Sequence, residues 1–249
     1  MEWRDEGLII GVRRHGEQSA IIEAMTRAHG RHLGLVRGGR SARFGPTLQV
    51  GNTIGLVWRA RLDEHLGAYA VEPLSLRAGR LMGSAVALAG LNYLSQLVRV
   101  LPERDPHEGV YEALTLIADA LDDGALAPAL VARFEARILA ECGFSLDLSR
   151  CAATGATEGL AYVSPRSGRA VSAEAGAPWR DRLLPLPAFL REGARLEARP
   201  SAGELADGFR LTGFFLAREL FAPSGASLPD SRAAFLSAAA KEQEPLKKS

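Results

Sequence analysis

The sequence contains few residues of the kinds that specialised protein classes require. Its 249 residues include only two cysteines, which cannot form the disulfide framework of a small secreted protein. Residues 1–6 hold three acids and no apolar run, so no secretory signal is predicted. The eighteen uncharged residues between Arg80 and Arg99 are too few and too polar for a transmembrane helix. We therefore expect a cytoplasmic protein without a membrane span.

Recognisable catalytic signatures are also missing. The sequence has no P-loop, no His-Glu-x-x-His motif and no Gly-x-Ser-x-Gly motif. None of the five histidines is paired with a cysteine at the spacing of a zinc finger. Cys142 and Cys151 lie nine residues apart, and we interpret them as ordinary thiols. The sequence therefore does not predict an enzyme.

Acidic residues are absent from one long stretch of an otherwise neutral chain. The formal net charge is +1, but residues 24–62 contain seven arginines and no acid. Such a run creates a local positive field whatever the net charge. It predicts a surface that binds a polyanion.

The first part of the chain alternates apolar and polar residues, which is typical of half-buried β-strands. Five such runs, separated by turn residues, are predicted at residues 8–13, 20–26, 31–37, 53–61 and 67–74. A longer link joins the third run to the fourth. Five short strands with this connection predict an OB-fold β-barrel, which we assign to residues 1–78.

The rest of the chain, residues 79–249, has helical periodicity. One helix is predicted to begin at Asp105 as N-cap, with Glu108 completing a capping box, and another begins with the capping box of Ser201 and Glu204. Residues 144–187 interrupt the pattern with glycines and prolines, and residues 241–249 are predicted to be a flexible tail. The expected fold class is α+β with two domains.

Several segments resemble one bacterial family. Near the N-terminus the resemblance rests on residues 7–14 and 17–22 together with Thr26 and Gly30. Residues 34–41 are similar to the family's third strand, residues 142–151 to the entry of its finger, and residues 162–168 to the segment between the finger's two ligand pairs. The family is that of the RecO recombination mediators. The resemblance implies DNA repair, binding of single- and double-stranded DNA, and annealing of complementary strands. It also implies association with the nucleoid, with RecR and with the C-terminal tail of the single-strand-binding protein, and indirect help in loading RecA.

The chain departs from the family pattern at the finger. Many members bind zinc with two Cys-x-x-Cys pairs, and here the four positions are Cys151, Thr154, Ser172 and Ala175. One cysteine cannot supply the four ligands of a structural zinc site. We expect a degenerate zinc-finger-like insertion without metal or other cofactor, held by packing of Leu160, Tyr162, Val171 and Trp179.

Two sets of side chains are candidates for binding. Guanidinium groups pair with phosphate oxygens and stack on bases, so the DNA-binding candidates are the arginines of the barrel. They are Arg37, Arg40, Arg43, Arg59 and Arg61, followed by Arg14, Arg27 and Arg31. An acidic tail with an apolar tip requires cations beside an apolar groove, for which the candidates are Arg133, Phe134, Arg137 and Ile138.

Two alternatives remain open on composition alone. A different OB-fold module that binds RNA would have the same basic barrel, and so would a scaffold whose barrel binds protein. Preference for structured RNA would favour the first, and a salt-insensitive protein complex would favour the second.

Overall fold

A computed structural model describes residues 1–191, 193–194 and 199–243 of the chain. The chain forms two compact units, Met1–Asp122 and Asp123–Ser249. The residues described include no helix that is both long and apolar enough to cross a membrane.

The first unit begins with five strands, β1 (Glu2–His15), β2 (Ser19–Thr26), β3 (Arg31–Val36), β4 (Thr53–Arg59) and β5 (Ala68–Ser75). Their pairing follows a ring in the order β1, β2, β3, β5, β4, and β4 returns to β1. Four of the pairings are antiparallel, whereas β3 meets β5 in parallel at the single pair Leu35 and Ala68. The limited contact leaves the barrel partly open between β3 and β5, as in the predicted OB fold.

Alternation of apolar residues explains the barrel interior. Ile54, Leu56 and Trp58 point inward from β4, where each is at most 2% exposed. They pack against Ile22 of β2 and Tyr69 of β5. The predicted link between β3 and β4 is a series of hydrogen-bonded turns that closes one end of this core through Leu48.

Helices α1 (Ala78–Leu81), α2 (Ala85–Leu97) and α3 (Glu108–Ala120) complete the first unit. The N-cap of α2 is Ser84, whose hydroxyl accepts a hydrogen bond from the Ala87 amide. The predicted capping of α3 by Asp105 is wrong, because the N-cap is His107 and no side chain caps the helix. Asp105 instead packs on Gly30, which precedes β3. The approach is so close that a Cβ on Gly30 would lie 2.0 Å from the Asp105 carbonyl oxygen.

The second unit contains three long helices, α4 (Ala127–Glu141), α6 (Ala202–Phe215) and α7 (Asp230–Gln243). The predicted capping box of Ser201 and Glu204 is confirmed at the start of α6, which continues as a π-helical turn over Leu216–Phe221. The predicted tail overlaps α7, since the helix extends to Gln243, and residues 244–249 lie outside the described residues.

The insertion is a small sheet beside these helices. It consists of β6 (Leu160–Val163), β7 (Ala170–Ser172), the short helix α5 (Ala173–Gly176) and β8 (Leu184–Pro185). Strand β6 lies between β7 and β8 and pairs antiparallel with both. The interrupted segment 144–187 therefore contains one hairpin, β6–β7, to which β8 adds a third strand.

Candidate nucleic-acid interface

A groove on the barrel brings three of the predicted arginines together. It has a volume of about 650 Å³, and Arg37 after β3, Arg43 in the following link and Arg59 at the end of β4 all line it. All three residues are exposed. The groove runs beside the weak β3–β5 contact, so the basic side chains surround the open part of the barrel.

The floor of the groove is apolar. Val36, Ala68 and Val71 line it together with Phe44, and the Arg43 guanidinium lies 5.6 Å from the centre of the Phe44 ring. A half-buried ring beside a cation offers a nucleobase both stacking and charge. The groove can therefore accept a chain that carries phosphates and exposed base faces.

One groove arginine has an acidic neighbour. Arg59 pairs with Glu2 of β1 at 2.9 Å, and its hydrogen bond lowers the pKa of the Glu2 carboxyl. No carboxylate partner is described for Arg37 or Arg43 in the portion of the chain that the structure covers. These two residues therefore carry most of the unneutralised charge of the groove.

Three other predicted arginines lie outside the groove lining. Arg40 donates hydrogen bonds to the carbonyl oxygens of Gly16 and Glu17 at the tip of the β1–β2 hairpin, so it orders that turn. Arg61 is exposed on the β4–β5 loop, and Arg14 is exposed on the hairpin.

Arg27 and Arg31 also lie outside the groove lining, and carboxylates partly neutralise both. Arg27 pairs with Glu6 and also approaches Glu108 and Glu112 of α3. The side chain of Arg31 is only 13% exposed and pairs with Glu23 at 2.7 Å. The sequence could not predict these ion pairs, because the acids lie outside the acid-free stretch and meet the arginines only in the folded unit.

An aromatic cluster lies beneath the groove. The Tyr69 hydroxyl is 2.9 Å from Nδ1 of His32, and the rings of Trp3 and Trp58 are stacked at 5.5 Å between centroids. Burial, aided by the charge of Arg104, lowers the pKa of His32 to about 4. A neutral imidazole therefore supports the floor near pH 7.

The finger positions do not fit a zinc ion. Cys151 and Ser172 are buried and adjacent: the Ser172 amide donates to the Cys151 sulfur at 3.3 Å, and the two side chains are 3.6 Å apart. Ser172 also caps α5, accepting from the Ala175 amide. Across the described ranges, no group of three or more His, Cys, Asp or Glu side chains is placed to hold a metal ion.

The Cys151 thiol, the one thiol at the four finger positions, takes part in hydrogen bonds. Burial raises the pKa of the Cys151 thiol, but hydrogen bonds from Thr154 and Ser172 outweigh this effect and lower the pKa to about 6. Leu160 is buried as predicted, whereas Trp179 is 57% exposed. The predicted packing role of Trp179 is therefore wrong, and its ring faces the Arg182 guanidinium at 5.8 Å.

The predicted partner site on α4 lacks an accessible apolar surface. Phe134 and Ile138 are at most 1% exposed, because they face the core of the second unit. Arg133 donates to the carbonyl oxygens of Phe189 and Ala194, and Arg137 pairs with Glu141. This corrects the prediction that these four residues form a groove for a tail.

Sequence reasoning missed a cleft elsewhere in the second unit. The cleft measures about 700 Å³ and lies among Pro128, Phe209 of α6 and Leu236 of α7, with Arg210 at its edge. Arg210 is exposed. Only the packing of helices far apart in sequence creates this cleft, so no local pattern could reveal it.

Comparison with known proteins agrees with this architecture. Residues 1–77 match the family model "Recombination protein O N terminal", and residues 82–227 match "Recombination protein O C terminal". A DNA repair protein RecO from Mesorhizobium japonicum is 61% identical over 241 residues, covering 97% of this chain and 94% of its own length. Another, from Methylocella silvestris, is 61% identical over 244 residues and covers 98% of both chains. The chain therefore belongs to the Recombination protein O family of DNA repair proteins.

Proposed function

We propose that the barrel groove binds single-stranded DNA and that the protein uses this binding to act as a non-enzymatic mediator of recombination. The observation that carries the proposal is the convergence of Arg37, Arg43 and Arg59 on one groove with an apolar floor. Phosphate pairing supplies affinity without sequence preference. The Phe44 ring adds a platform for an unpaired base, which favours single strands over duplexes.

Annealing follows from the same chemistry. Two complementary strands repel each other through their phosphates, and guanidinium groups that neutralise these charges allow the strands to approach. We propose that the protein binds single- and double-stranded DNA in this way and anneals strands coated with the single-strand-binding protein. Together with RecR, it would then help load RecA.

The cleft of the second unit is our candidate site for the tail of the single-strand-binding protein. Its lining is mainly apolar, with Leu205, Phe209 and Leu236 among the contributors. Arg210 at the edge would pair with a carboxylate while an apolar tip enters the cleft. This assignment replaces the inaccessible side chains of α4.

Salt-dependent DNA binding tests the groove. In the Arg37→Ala/Arg43→Ala variant we expect weaker binding of a fluorescent single-stranded oligonucleotide. The slope of log affinity against log salt should flatten by about 0.7 for each lost phosphate contact. Fluorescence anisotropy at several salt concentrations measures both quantities.

The Arg180→Ala/Arg182→Ala variant is the matched control, because it also removes two exposed arginines but leaves the groove intact. It should bind like the original protein. An unchanged slope in the groove variant would place the DNA site elsewhere. Stronger binding of structured RNA would favour an RNA-binding module, and annealing of coated oligonucleotides tests the mediator role directly.

A further inference from the structure

A second groove lies on the first unit, separate from the basic groove. It has a volume of about 400 Å³ and is formed by the middle of β1, the residues before β4 and helices α1 and α2. Three of its apolar side chains are largely exposed: Val12 at 41%, Met82 at 58% and Leu88 at 46%. Leu91 of the lining packs closely on Gly51, since a Cβ at this residue would meet the Leu91 side chain at 2.8 Å.

An unpaired strand edge borders this groove. On the side away from β2, β1 pairs with β4 only as far as Leu8, and the last main-chain bonds link Ile9 to Gly51 and Asn52. Beyond them, from Gly11 to His15, no main-chain partner on that side is described for the residues in the structure. Such an edge is a template for an added strand.

The groove also contains a polar atom without a partner. Ser95 of α2 is only 4% exposed and lines the groove, and its hydroxyl oxygen has no hydrogen-bond partner within the described portion of the chain. An unsatisfied buried hydroxyl costs about 1–3 kcal/mol. A ligand with a polar group at this depth would remove that cost.

The charges beside the edge indicate what kind of ligand fits. Arg13 and Arg14 are exposed on the open segment of β1, and no carboxylate partner is described for either within the structure's described ranges. The Arg99 guanidinium, at the other side, donates to the Ile10 carbonyl oxygen at 3.1 Å and is already paired with Glu23 at 2.8 Å, so the unpaired cations are those of β1. Arginines at an edge and an apolar floor complement an extended segment whose residues alternate between acidic and apolar.

We propose that an extended, acidic segment of a partner protein docks here by adding a strand to β1. Its main chain pairs with the open edge at residues 11–15, its apolar side chains enter the groove on the face of Val12, and its carboxylates point to the opposite face, where Arg13 lies. Main-chain pairing supplies affinity and the side-chain pockets supply specificity, as in other strand-addition complexes. The site is distinct from the DNA groove and does not depend on the proposed function.

Binding of a designed peptide to the full chain tests this proposal. The probe is a fluorescein-labelled peptide that alternates valine or leucine with glutamate. We expect saturable binding by anisotropy, and we expect hydrogen exchange to slow at the amides of residues 11–15. The Met82→Glu/Leu88→Glu variant, altered only at exposed positions, should bind the peptide at least about tenfold more weakly. Ser95→Ala should weaken peptide binding without lowering the stability of the protein.

A matched control separates docking in this groove from a general effect of placing a charge at an exposed leucine. Leu116→Glu changes another exposed leucine, which is 59% exposed on α3, and should bind the peptide normally. All these variants should retain single-stranded DNA binding. Any of four results would overturn the proposal: no peptide binding, equal binding of a lysine-containing peptide, no protection of residues 11–15, or self-association of the chain through this edge in place of peptide binding.

Discussion

Identical residues in the acid-free stretch have different roles, because their neighbours differ. Arg43 is exposed in the groove and lies over Phe44, whereas Arg31 is largely buried and paired with Glu23. The sequence predicted that this region is basic, and three of the arginines do share one groove. It could not predict which arginines are neutralised, since Glu6 precedes the stretch and Glu108 lies far beyond it.

His32 makes the stability of the first unit dependent on pH. Its pKa is about 4 in the folded protein, compared with 6.5 for the unperturbed group. The unfolded state therefore binds more protons between these values, and the protein loses stability as the pH falls from 6.5 towards 4. We expect a loss of about 2 kcal/mol between pH 7 and pH 5 from this residue.

Urea unfolding at the two pH values measures this effect in the original protein and in the His32→Gln variant. The variant should lose less stability on acidification, even if it is less stable at pH 7. His15→Asn, which changes an exposed histidine, is the control and should behave like the original protein. Equal acid sensitivity in all three proteins would contradict the prediction.

At the scale of elements, the helices of the second unit are joined by a buried ion pair. Glu135 of α4 is fully buried and pairs with Arg232 of α7 at 2.7 Å. Thr212 of α6 also donates to the Glu135 carboxylate, so three helices meet at one group. Removing one partner of such a pair leaves an uncompensated buried charge.

We expect Glu135→Ala to lower the free energy of unfolding by about 3–5 kcal/mol. Combined replacement of Glu135 and Arg232 by leucine and methionine should cost less, because it removes both charges. Glu141→Ala removes the half-exposed pair with Arg137 and should cost less than about 1 kcal/mol. Denaturant unfolding distinguishes these values. If Glu135→Ala lowered the free energy of unfolding as little as Glu141→Ala does, the structural role of the buried ion pair would be refuted.

The insertion allows a prediction about metal. Its four finger positions offer one thiol, and hydrogen bonds from Ser172 and Thr154 engage that sulfur. We expect purified protein to contain less than one zinc per chain and to show the same thermal unfolding with and without a chelator. Ser172→Ala should lower the unfolding temperature, because it removes the cap of α5 and the side-chain acceptor of the Cys151 thiol. One tightly bound zinc per chain would contradict this account.

Elements were more predictable from the sequence than their contacts. Period-two alternation located β2 to β5 closely. It found only the middle of β1, which is longer at both ends because it pairs with two neighbours in turn. The capping box at Ser201 depends only on local contacts and was correct. The prediction of an N-cap at Asp105 was wrong, because a tertiary contact with Gly30 holds that residue. The helical periodicity at Phe134 reflects a buried face of α4 and not a surface groove.

At the scale of the whole molecule, charge is organised locally. The net charge is +1, so the chain as a whole has little attraction for DNA. The groove nevertheless concentrates cations on one side of the barrel, and the field at short range depends on these neighbours within a Debye length of about 8–10 Å. The DNA binding that we propose would rest on this local asymmetry and not on the net charge.

The division of the chain into folding units gives the last prediction. The sequence and the family models place a boundary near residue 78, but the compact unit extends to Asp122. Arg77 is buried between Thr53 of β4 and Asp119 of α3, and the Ala78 amide donates to the Asn52 side chain. A cut after residue 78 would remove the helices that cover this side of the barrel and leave the Arg77 charge without its acid.

We therefore expect a fragment of residues 1–122 to fold independently and a fragment of residues 1–78 to be unfolded or far less stable. Losing the partner of a buried charge costs about 3–5 kcal/mol, which is a large share of the 5–15 kcal/mol that stabilises a typical domain. The shorter fragment would also expose the barrel surface at Gly51 that Leu81 and Leu91 cover, which adds to that loss. Circular dichroism melts and amide NMR dispersion compare the two fragments. If both unfold cooperatively at the same temperature, the barrel does not need its helices and the boundary at residue 78 is the physical one.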